Sequence, residues 1–263
     1  MTGRRQVGAV LVAIVAVALG AAVARAEAPE FGRCVKQVGG KYANSNCTAT
    51  LAGSEHFEWK PGPGPKAHFS ESVSGTNVFK WKLASNEEGN CSGETATGEY
   101  TGPKTVAHVH IVLTGCSWGF VGSSSPCSTL TIASLGGEIG VYRLGETPLK
   151  NKIGLKLTPE VGEGITEFNC ESGLNPYTWL GGWVIVPLHT NMMLASESLS
   201  YKQLHGPGLK EEQLPAGFVG EAANPLRADG NQTLGGERVF LPMGWQMTTT
   251  LVNEEKIETN SVL

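Results

Sequence analysis

Runs of β-branched and aromatic residues, separated by turns rich in glycine and proline, dominate the chain after residue 26. Helical periodicity is nearly absent there. The clearest run spans 105–114, where the odd-numbered positions from Ala107 to Leu113 are apolar. Because side chains alternate along a strand, we expect these positions to face the core, with Val106 on the opposite face. Further strands are predicted at 140–144, 153–157, 165–170, 183–188, 193–203, 246–252 and 256–258.

The spacing of the turns predicts the fold class. Many short strands with regularly recurring turns are typical of an antiparallel β-sandwich or barrel, and we expect one of these two all-β folds. The strands do not alternate with helices, which disfavours a parallel α/β sheet. Hydrophobic residues make up 40 % of the chain, enough to build a core, so a fully disordered protein is excluded.

The N-terminus indicates export. Arg4 and Arg5 precede an uncharged apolar stretch at 7–23, and Ala24-Arg25-Ala26 matches a small-residue cleavage site. We therefore expect residues 1–26 to form a helical signal peptide, with an uncleaved anchor as the alternative. Cleavage predicts a secreted, extracellular protein that has no membrane association once the signal is removed.

Residues 27–263 are expected to form one all-β domain. The proline- and glycine-rich stretch at 60–66 bounds an N-terminal segment, 27–60, which is too short to build a core of its own. A second irregular stretch at 204–236 contains several Gly-Pro and Asn-Pro type breakers and is predicted to be a long loop excursion. One helical turn is expected within it at 210–213.

Six cysteines in an exported chain indicate disulfides, although six allow 15 pairings. Closeness in sequence favours two short loops, and the remaining two cysteines would then join distant parts of the chain. The pairs predicted in this way are Cys34–Cys47, Cys116–Cys127 and Cys91–Cys170. No C-x-x-C motif is present, so neither a zinc knuckle nor a thioredoxin-like redox pair is supported.

Composition and motifs exclude several functions. The net charge of −4 argues against a nucleic-acid partner, and three of the basic residues lie in the signal segment. Asp229 is the only aspartate, which excludes calcium loops of the D-x-D-x-D type. The stretch 89–93 matches a G-x-C-x-G nucleophile elbow, but turn residues flank it where a strand and a helix are needed. No catalytic residue and no cofactor are therefore predicted.

His108 and His110 lie two residues apart on a predicted strand and so share a face. Glu99 or His56 could join them as metal ligands after folding. No motif such as H-E-x-x-H supports a metal centre, and paired histidines on a solvent-facing strand are usually surface residues. We therefore predict no metal site.

Two further features could carry a function. Trp179 and Trp183 lie four residues apart, so strand alternation alone places them on one face, where exposed rings could stack on sugars. Packing in the core is the alternative role. Glutamate is plentiful, so a carboxyl pair for glycoside hydrolysis is also possible, but only the folded structure can supply the separation of such a pair.

The order of several motifs resembles an uncharacterised family of exported actinobacterial proteins. The matching segments are 29–36, 40–42, 47–48, 57–59 with 61–62, 98–102, 114–116 and 253–258. The resemblance spans most of the chain after the signal segment and implies export and a shared scaffold. It implies no activity, so no functional residue is carried over from it.

The leading hypothesis is therefore a secreted, disulfide-linked, non-catalytic β-protein that binds an unknown extracellular ligand, with a glycan as one candidate. The main alternative is a secreted hydrolase that acts on a glycan through paired glutamates. A barrel with an apolar interior for a small lipid-like ligand is the third possibility.

Overall fold

The computed structural model describes residues 29–50, 52–53, 56–83, 87–120, 123–162, 164–168, 170, 178–205, 211–223, 226–234 and 237–261. The predicted signal peptide, 1–26, lies outside the described residues. Strands account for most of the described chain, and the only helix within it is a single 3₁₀ turn at Pro148–Lys150.

The described residues form sixteen β-strands, so the all-β prediction is confirmed. In chain order they are β1 (Glu30–Lys36), β2 (Phe57–Pro61), β3 (His68–Leu83), β4 (Glu87–Tyr100), β5 (Thr105–Thr114), β6 (Ser117–Phe120), β7 (Ser123–Pro126), β8 (Leu130–Arg143), β9 (Lys152–Pro159), β10 (Gly164–Phe168), β11 (Thr178–Gly181), β12 (Val184–Pro187), β13 (Leu194–His205), β14 (Glu211–Leu214), β15 (Arg227–Leu234) and β16 (Glu237–Asn260).

Antiparallel ladders join all sixteen strands into one large sheet. Its central run follows the order β13–β16–β3–β4–β5–β8–β9–β12. The sheet curls, and the two ends of this run, β12 and β13, come into contact. Among the described residues no ladder pairs them, so the line along which they meet, here called the seam, lacks the hydrogen bonds found between the other neighbours of the run.

Three long strands, β3, β4 and β16, run through two regions with different interiors. The cavity half comprises residues 69–73 of β3, 94–100 of β4 and 249–259 of β16. The aromatic half comprises residues 79–83 of β3, 87–91 of β4 and 243–247 of β16. Irregularities in the ladders at 74–79 of β3 and 247–251 of β16 separate the two regions.

Large rings fill the aromatic half. Trp81 is 2 % exposed and stacks on Trp118 with ring centroids 5.7 Å apart. Phe79 packs between Trp81 and Trp245 at 5.7 and 5.3 Å. A Cβ at Gly89 would lie 2.2 Å from the Trp81 ring, so glycine is required there for the ring to lie flat on β4.

Strand β5 confirms the strand predicted at 105–114. The prediction of which side chains point into the core was only partly right. Val109, Ile111 and Leu113 are buried as expected, while Val106 is also buried rather than outward. The ladder shifts register between 106 and 109, and His108 has a φ of +53°. Such a bulge inserts one extra residue, which reverses the facing of everything before it.

Three disulfides link the chain, and no described cysteine is free. Cys34–Cys47 is confirmed. The pairings Cys116–Cys127 and Cys91–Cys170 are wrong, because the bonds are Cys91–Cys116 and Cys127–Cys170. Strand register decides this outcome: Asn90 pairs with Ser117, so Cys91 lies directly opposite Cys116. Closeness in sequence could not show that register.

The region 204–236 and the N-terminal segment both contribute strands to the sheet. The region 204–236 contains β14 and β15, and the helical turn expected at 210–213 is wrong because Glu211–Leu214 is a strand paired with β13. The N-terminal segment joins the main sheet, since β1 pairs with both β2 and the end of β16. A small cluster around Cys34–Cys47 and Trp59 packs under it.

Candidate functional site

The concave face of the cavity half encloses a space of about 30 Å³. That volume holds one or two water molecules. Seven of the eight strands of the central run, all but β8, contribute described residues to the wall, and apolar side chains make up most of it. The lining residues are Phe31, Phe69, Glu71, Ala96, Tyr100, Val106, Val109, Ile111, Leu155, Leu157, Val186, Leu188, His189, Met192, Glu197, Leu199, Leu251, Ile257 and Thr259.

Three carboxyl groups lie on this inner face. Leu251 of β16 pairs with Glu71 of β3 on one side and with Glu197 of β13 on the other, so the two glutamates flank it in one row. Glu94 of β4 lies diagonally across the ladder from Glu71, because Glu71 pairs with Ala96 two residues further along. Strand alternation thus turns three glutamates toward one interior, where apolar residues are usual.

Burial makes ionisation of this cluster costly. The pKa of Glu71 is raised from 4.5 to about 8, chiefly by burial and in addition by the charges of Glu94 and Glu197, although the Thr249 hydroxyl lowers it in part. Burial also raises the pKa of Glu94 to about 7. Near neutral pH at least one of these carboxyl groups therefore carries a proton.

Glu94 is 2 % exposed and incompletely satisfied. The Thr249 hydroxyl donates a hydrogen bond to its Oε2 at 3.3 Å. Its other oxygen, Oε1, has no hydrogen-bond partner among the described residues. A buried acceptor without a partner is unusual and costs about 1–3 kcal/mol.

Glu197 faces the seam, where His189 lies against it. The His189 backbone N–H donates to Glu197 Oε1 at 2.6 Å, and the ring Nδ1 lies 3.1 Å from the same oxygen. Burial raises the pKa of Glu197, and these contacts with His189 offset part of the rise. His189 and Met192 are both exposed at their outer side, so they mark the place where the cavity comes nearest to solvent.

Tyr100 contributes a neutral polar group to the wall. Its hydroxyl donates to Asn253 Oδ1 at 2.9 Å, and its ring packs edge-on against Phe31 at 4.8 Å. Burial and the charges of Glu197 and Glu71 raise the pKa of Tyr100 far above its ordinary value, so it stays protonated.

The histidines singled out in the sequence lie on the outer face of the same sheet. His108 and His110 line one open cleft there with His68 and Glu99. His108 lies between two carboxylates, with Nε2 3.6 Å from Glu99 and Nδ1 3.5 Å from Glu160. Glu99 thus lies beside His108, although this contact does not test the metal-ligand role considered for it. Within the described ranges, no three His, Cys, Asp or Glu side chains are grouped so that they could hold a metal ion.

The two tryptophans proposed as a sugar platform are not on one continuous strand. Trp179 lies in β11, and only its backbone is described; Gly182, with a φ of +93°, turns the chain before Trp183. The Trp183 indole N–H donates to the Ala216 carbonyl at 2.9 Å. Lys156 lies 5.0 Å above its ring. These contacts are those of a packing residue.

The G-x-C-x-G motif carries no nucleophile, because Cys91 is disulfide-bonded. Sequence reasoning missed Glu71, Glu94 and Glu197 as a group. One signal was available for Glu71, which falls between Phe69 and Val73 in a strand whose alternate residues are apolar. Which strands bring the three together depends on long-range register, which the sequence does not reveal.

No protein-family model, curated protein or solved structure matches this chain. The structure holds no helix, across the residues it describes, long and apolar enough to cross a membrane. The disulfides indicate an oxidising environment of the extracellular type.

Proposed function

We propose that the protein is a secreted, non-catalytic binding protein that takes a small, largely apolar ligand into the interior of its curled sheet. The observation that carries this proposal is the cavity inside the curl of the sheet, whose wall is contributed by seven of the eight strands of the central run. Interiors of this kind, in closed or nearly closed β-barrels, are common sites for small ligands. A barrel is therefore the form of the fold that we favour over a sandwich.

The composition of the wall favours an apolar ligand. Most lining side chains are aliphatic or aromatic, and the polar ones are concentrated around Glu71 and Glu197. Ligand sites usually combine an apolar wall with a few polar groups that fix orientation.

The present volume of about 30 Å³ requires the cavity to widen when a ligand enters. The seam is the part of the wall that can move at least cost, because no ladder of hydrogen bonds joins β12 to β13 there. Its outer residues, His189 and Met192, lie outside the strands, and His189 is held there by its backbone N–H and its ring against the Glu197 carboxylate. Entry through the seam breaks the fewest backbone hydrogen bonds.

Hydrolysis of a glycan through paired glutamates is less well supported. Carboxyl groups are present, but the mostly apolar wall would leave the hydroxyl groups of a sugar without partners, and Trp59, Trp81, Trp118 and Trp245 are buried and offer no surface for a sugar to stack on. A binding role needs only that one small molecule displace the water and widen the seam.

A cavity-filling substitution tests the proposal. Ala96 lines the cavity, and its neighbour Thr97 on the same strand faces outward. We expect hexanol to bind the wild-type protein and the Thr97→Leu control, as detected by native mass spectrometry and calorimetry, and not to bind Ala96→Leu. Circular dichroism establishes that all three are folded. Equal binding by all three variants, or release of sugar from a glycan panel by the wild type, would contradict the proposal.

A further inference from the structure

We propose that the ligand of the cavity is a small apolar amine, whose ammonium group binds among Glu71, Glu94 and Glu197. This inference deepens the proposed function and rests on it. It names the chemical class that the interior carboxyl groups would recognise.

Three like charges converge at the carboxyl cluster. The charges of Glu94 and Glu197 both act on Glu71, and the Thr249 hydroxyl, which donates to Glu94 Oε2, also lowers the pKa of Glu71. Among the described residues, the hydrogen-bond partners of the three carboxyl groups are the Thr249 hydroxyl and His189. Like charges in a buried site repel each other and are stable only when protons or a cation neutralise them.

Within the described chain, one carboxyl oxygen of Glu94 is an unused hydrogen-bond acceptor. Glu94 is not among the described residues of the cavity wall, but it lies diagonally beside Glu71, which is in the wall, and its Oε1 is buried without a hydrogen-bond partner in the part of the chain that the structure describes. An ammonium group offers three N–H donors and no acceptor, which matches a site that consists of acceptors. A carboxylate or phosphate ligand would instead be repelled by the same oxygens.

The surroundings of the carboxyl groups favour an organic amine over a bare metal ion. No three-residue metal-binding set occurs in the described ranges, so close coordination of a metal is not supported. An ammonium group tolerates longer contacts, and an attached hydrocarbon matches the aliphatic wall formed by residues such as Ile111, Leu199 and Leu251. Polar rings such as sugars would leave most of their hydroxyl groups without partners in that wall.

Binding of an ammonium group must also displace protons from the carboxyl groups. The groups that face the cluster are the three glutamates, Tyr100, which stays protonated, and His189 at the seam. Burial holds protons on Glu71 and Glu94 near neutral pH. An arriving ammonium group replaces them, so protons pass to the buffer and the affinity rises as the pH increases through the pKa values of the two carboxyl groups.

The experiment compares hexylamine with hexanol on the full mature chain. Calorimetry is performed in buffers of different ionisation enthalpy, at a pH above 8, where Glu71 and Glu94 are ionised, and at a pH below 7. Above pH 8 we expect hexylamine to bind at least about tenfold more tightly than hexanol, a difference of about 1.4 kcal/mol. Below pH 7 the preference shrinks and binding of the amine releases protons.

Isosteric variants locate the ammonium group. We expect Glu94→Gln and Glu71→Gln to lose the preference for amine and to retain binding of hexanol. Glu88→Gln, an exposed position on the same strand as Glu94, keeps the preference.

The two proposals fail in different ways. Equal binding of amine and alcohol, or a preference for amine that survives in Glu71→Gln, Glu94→Gln and Glu197→Gln, overturns the amine assignment and leaves the binding function intact. Binding of neither probe to the wild type overturns both.

Discussion

The same three strands build two interiors of opposite character. In the aromatic half, β3, β4 and β16 enclose tryptophan and phenylalanine rings at close distances, and Cys91–Cys116 joins β4 to the chain beyond β5. In the cavity half they enclose three carboxyl groups and a space of about 30 Å³. The aromatic half is filled and covalently linked, whereas none of the disulfides joins the strands of the cavity half.

Under the proposed binding function, the aromatic half stabilises the sheet and the cavity half takes up the ligand. Proteins concentrate mobile and ligand-binding parts in regions of low local stability. Buried carboxyl groups without cationic partners lower stability at neutral pH, so they need a well-packed region elsewhere to keep the fold intact. The aromatic half supplies that region, and the strands continue from it into the cavity half.

The largest expected effect lies in the aromatic half. Replacing Trp81, which is 2 % exposed and stacks on Trp118, leaves a large void next to Gly89. We expect Trp81→Ala to lower the free energy of unfolding by about 3–5 kcal/mol, measured by denaturant titration with the disulfides intact. A loss below 1 kcal/mol would mean that the rings of this half are not its main support.

The disulfides give the next largest effect. Replacing both Cys91 and Cys116 with alanine removes a cross-link that spans 25 residues, which should cost about 3 kcal/mol. Peptide mapping without reduction checks the bonds themselves and should recover Cys91 with Cys116 and Cys127 with Cys170. Recovery of Cys91 linked to Cys170 would contradict the described register of β4 and would weaken the contrast between the halves.

The pH dependence of stability reports on the buried carboxyl groups. Glu71, Glu94 and the fully buried Glu258 have raised pKa values in the folded protein, so they keep protons that the unfolded chain has already lost. Unfolding then releases protons, and stability falls as the pH rises from about 4.5 to about 8 and stays low above it.

Substitution of Glu71 tests whether stability falls as the pH rises. Because glutamine mimics the protonated carboxyl group, Glu71→Gln should gain about 1–3 kcal/mol over the wild type above pH 8 and should change little below pH 4.5. Thermal unfolding across this pH range measures the gain, with the exposed Glu88→Gln as the control. A wild-type stability that rises toward pH 8 would contradict a buried, protonated cluster.

The smallest expected effect concerns the seam. His189 contacts Glu197 from a largely exposed position, so His189→Ala should cost less than about 1 kcal/mol of stability. Loss of its ring also removes a group that lowers the pKa of Glu197. We expect faster entry and release of hexanol in stopped-flow measurements. Unchanged rates would place the entry route elsewhere than the seam.

The sequence predicted the fold class because alternation and turn residues are local signals, as the run at 105–114 shows. It misplaced Val106 because a single bulge reverses facing, and no residue pattern marked that bulge. It mispaired four cysteines because the register of Asn90 with Ser117 is set by the folded hairpin.

The candidate site was out of reach of sequence reasoning for the same reason. Glu71 and Glu197 are 126 positions apart, yet both flank Leu251 in the folded sheet. Glutamates are common in this chain, and only strand order distinguishes these from the exposed ones. Of the wall residues, Val109 and Ile111 were predicted to face the core, but their arrangement around a cavity was not predicted.

The most direct measurement of the central claim is a titration of the glutamate carboxyl carbons by ¹³C NMR, with and without hexylamine. In the free protein, Glu71 and Glu94 should titrate near 8 and 7, and hexylamine should move both resonances toward the ionised form near neutral pH while leaving the exposed Glu88 unchanged. Midpoints near 4.5 for all glutamates, with no response of Glu71 or Glu94 to hexylamine, would contradict a carboxyl-lined binding cavity.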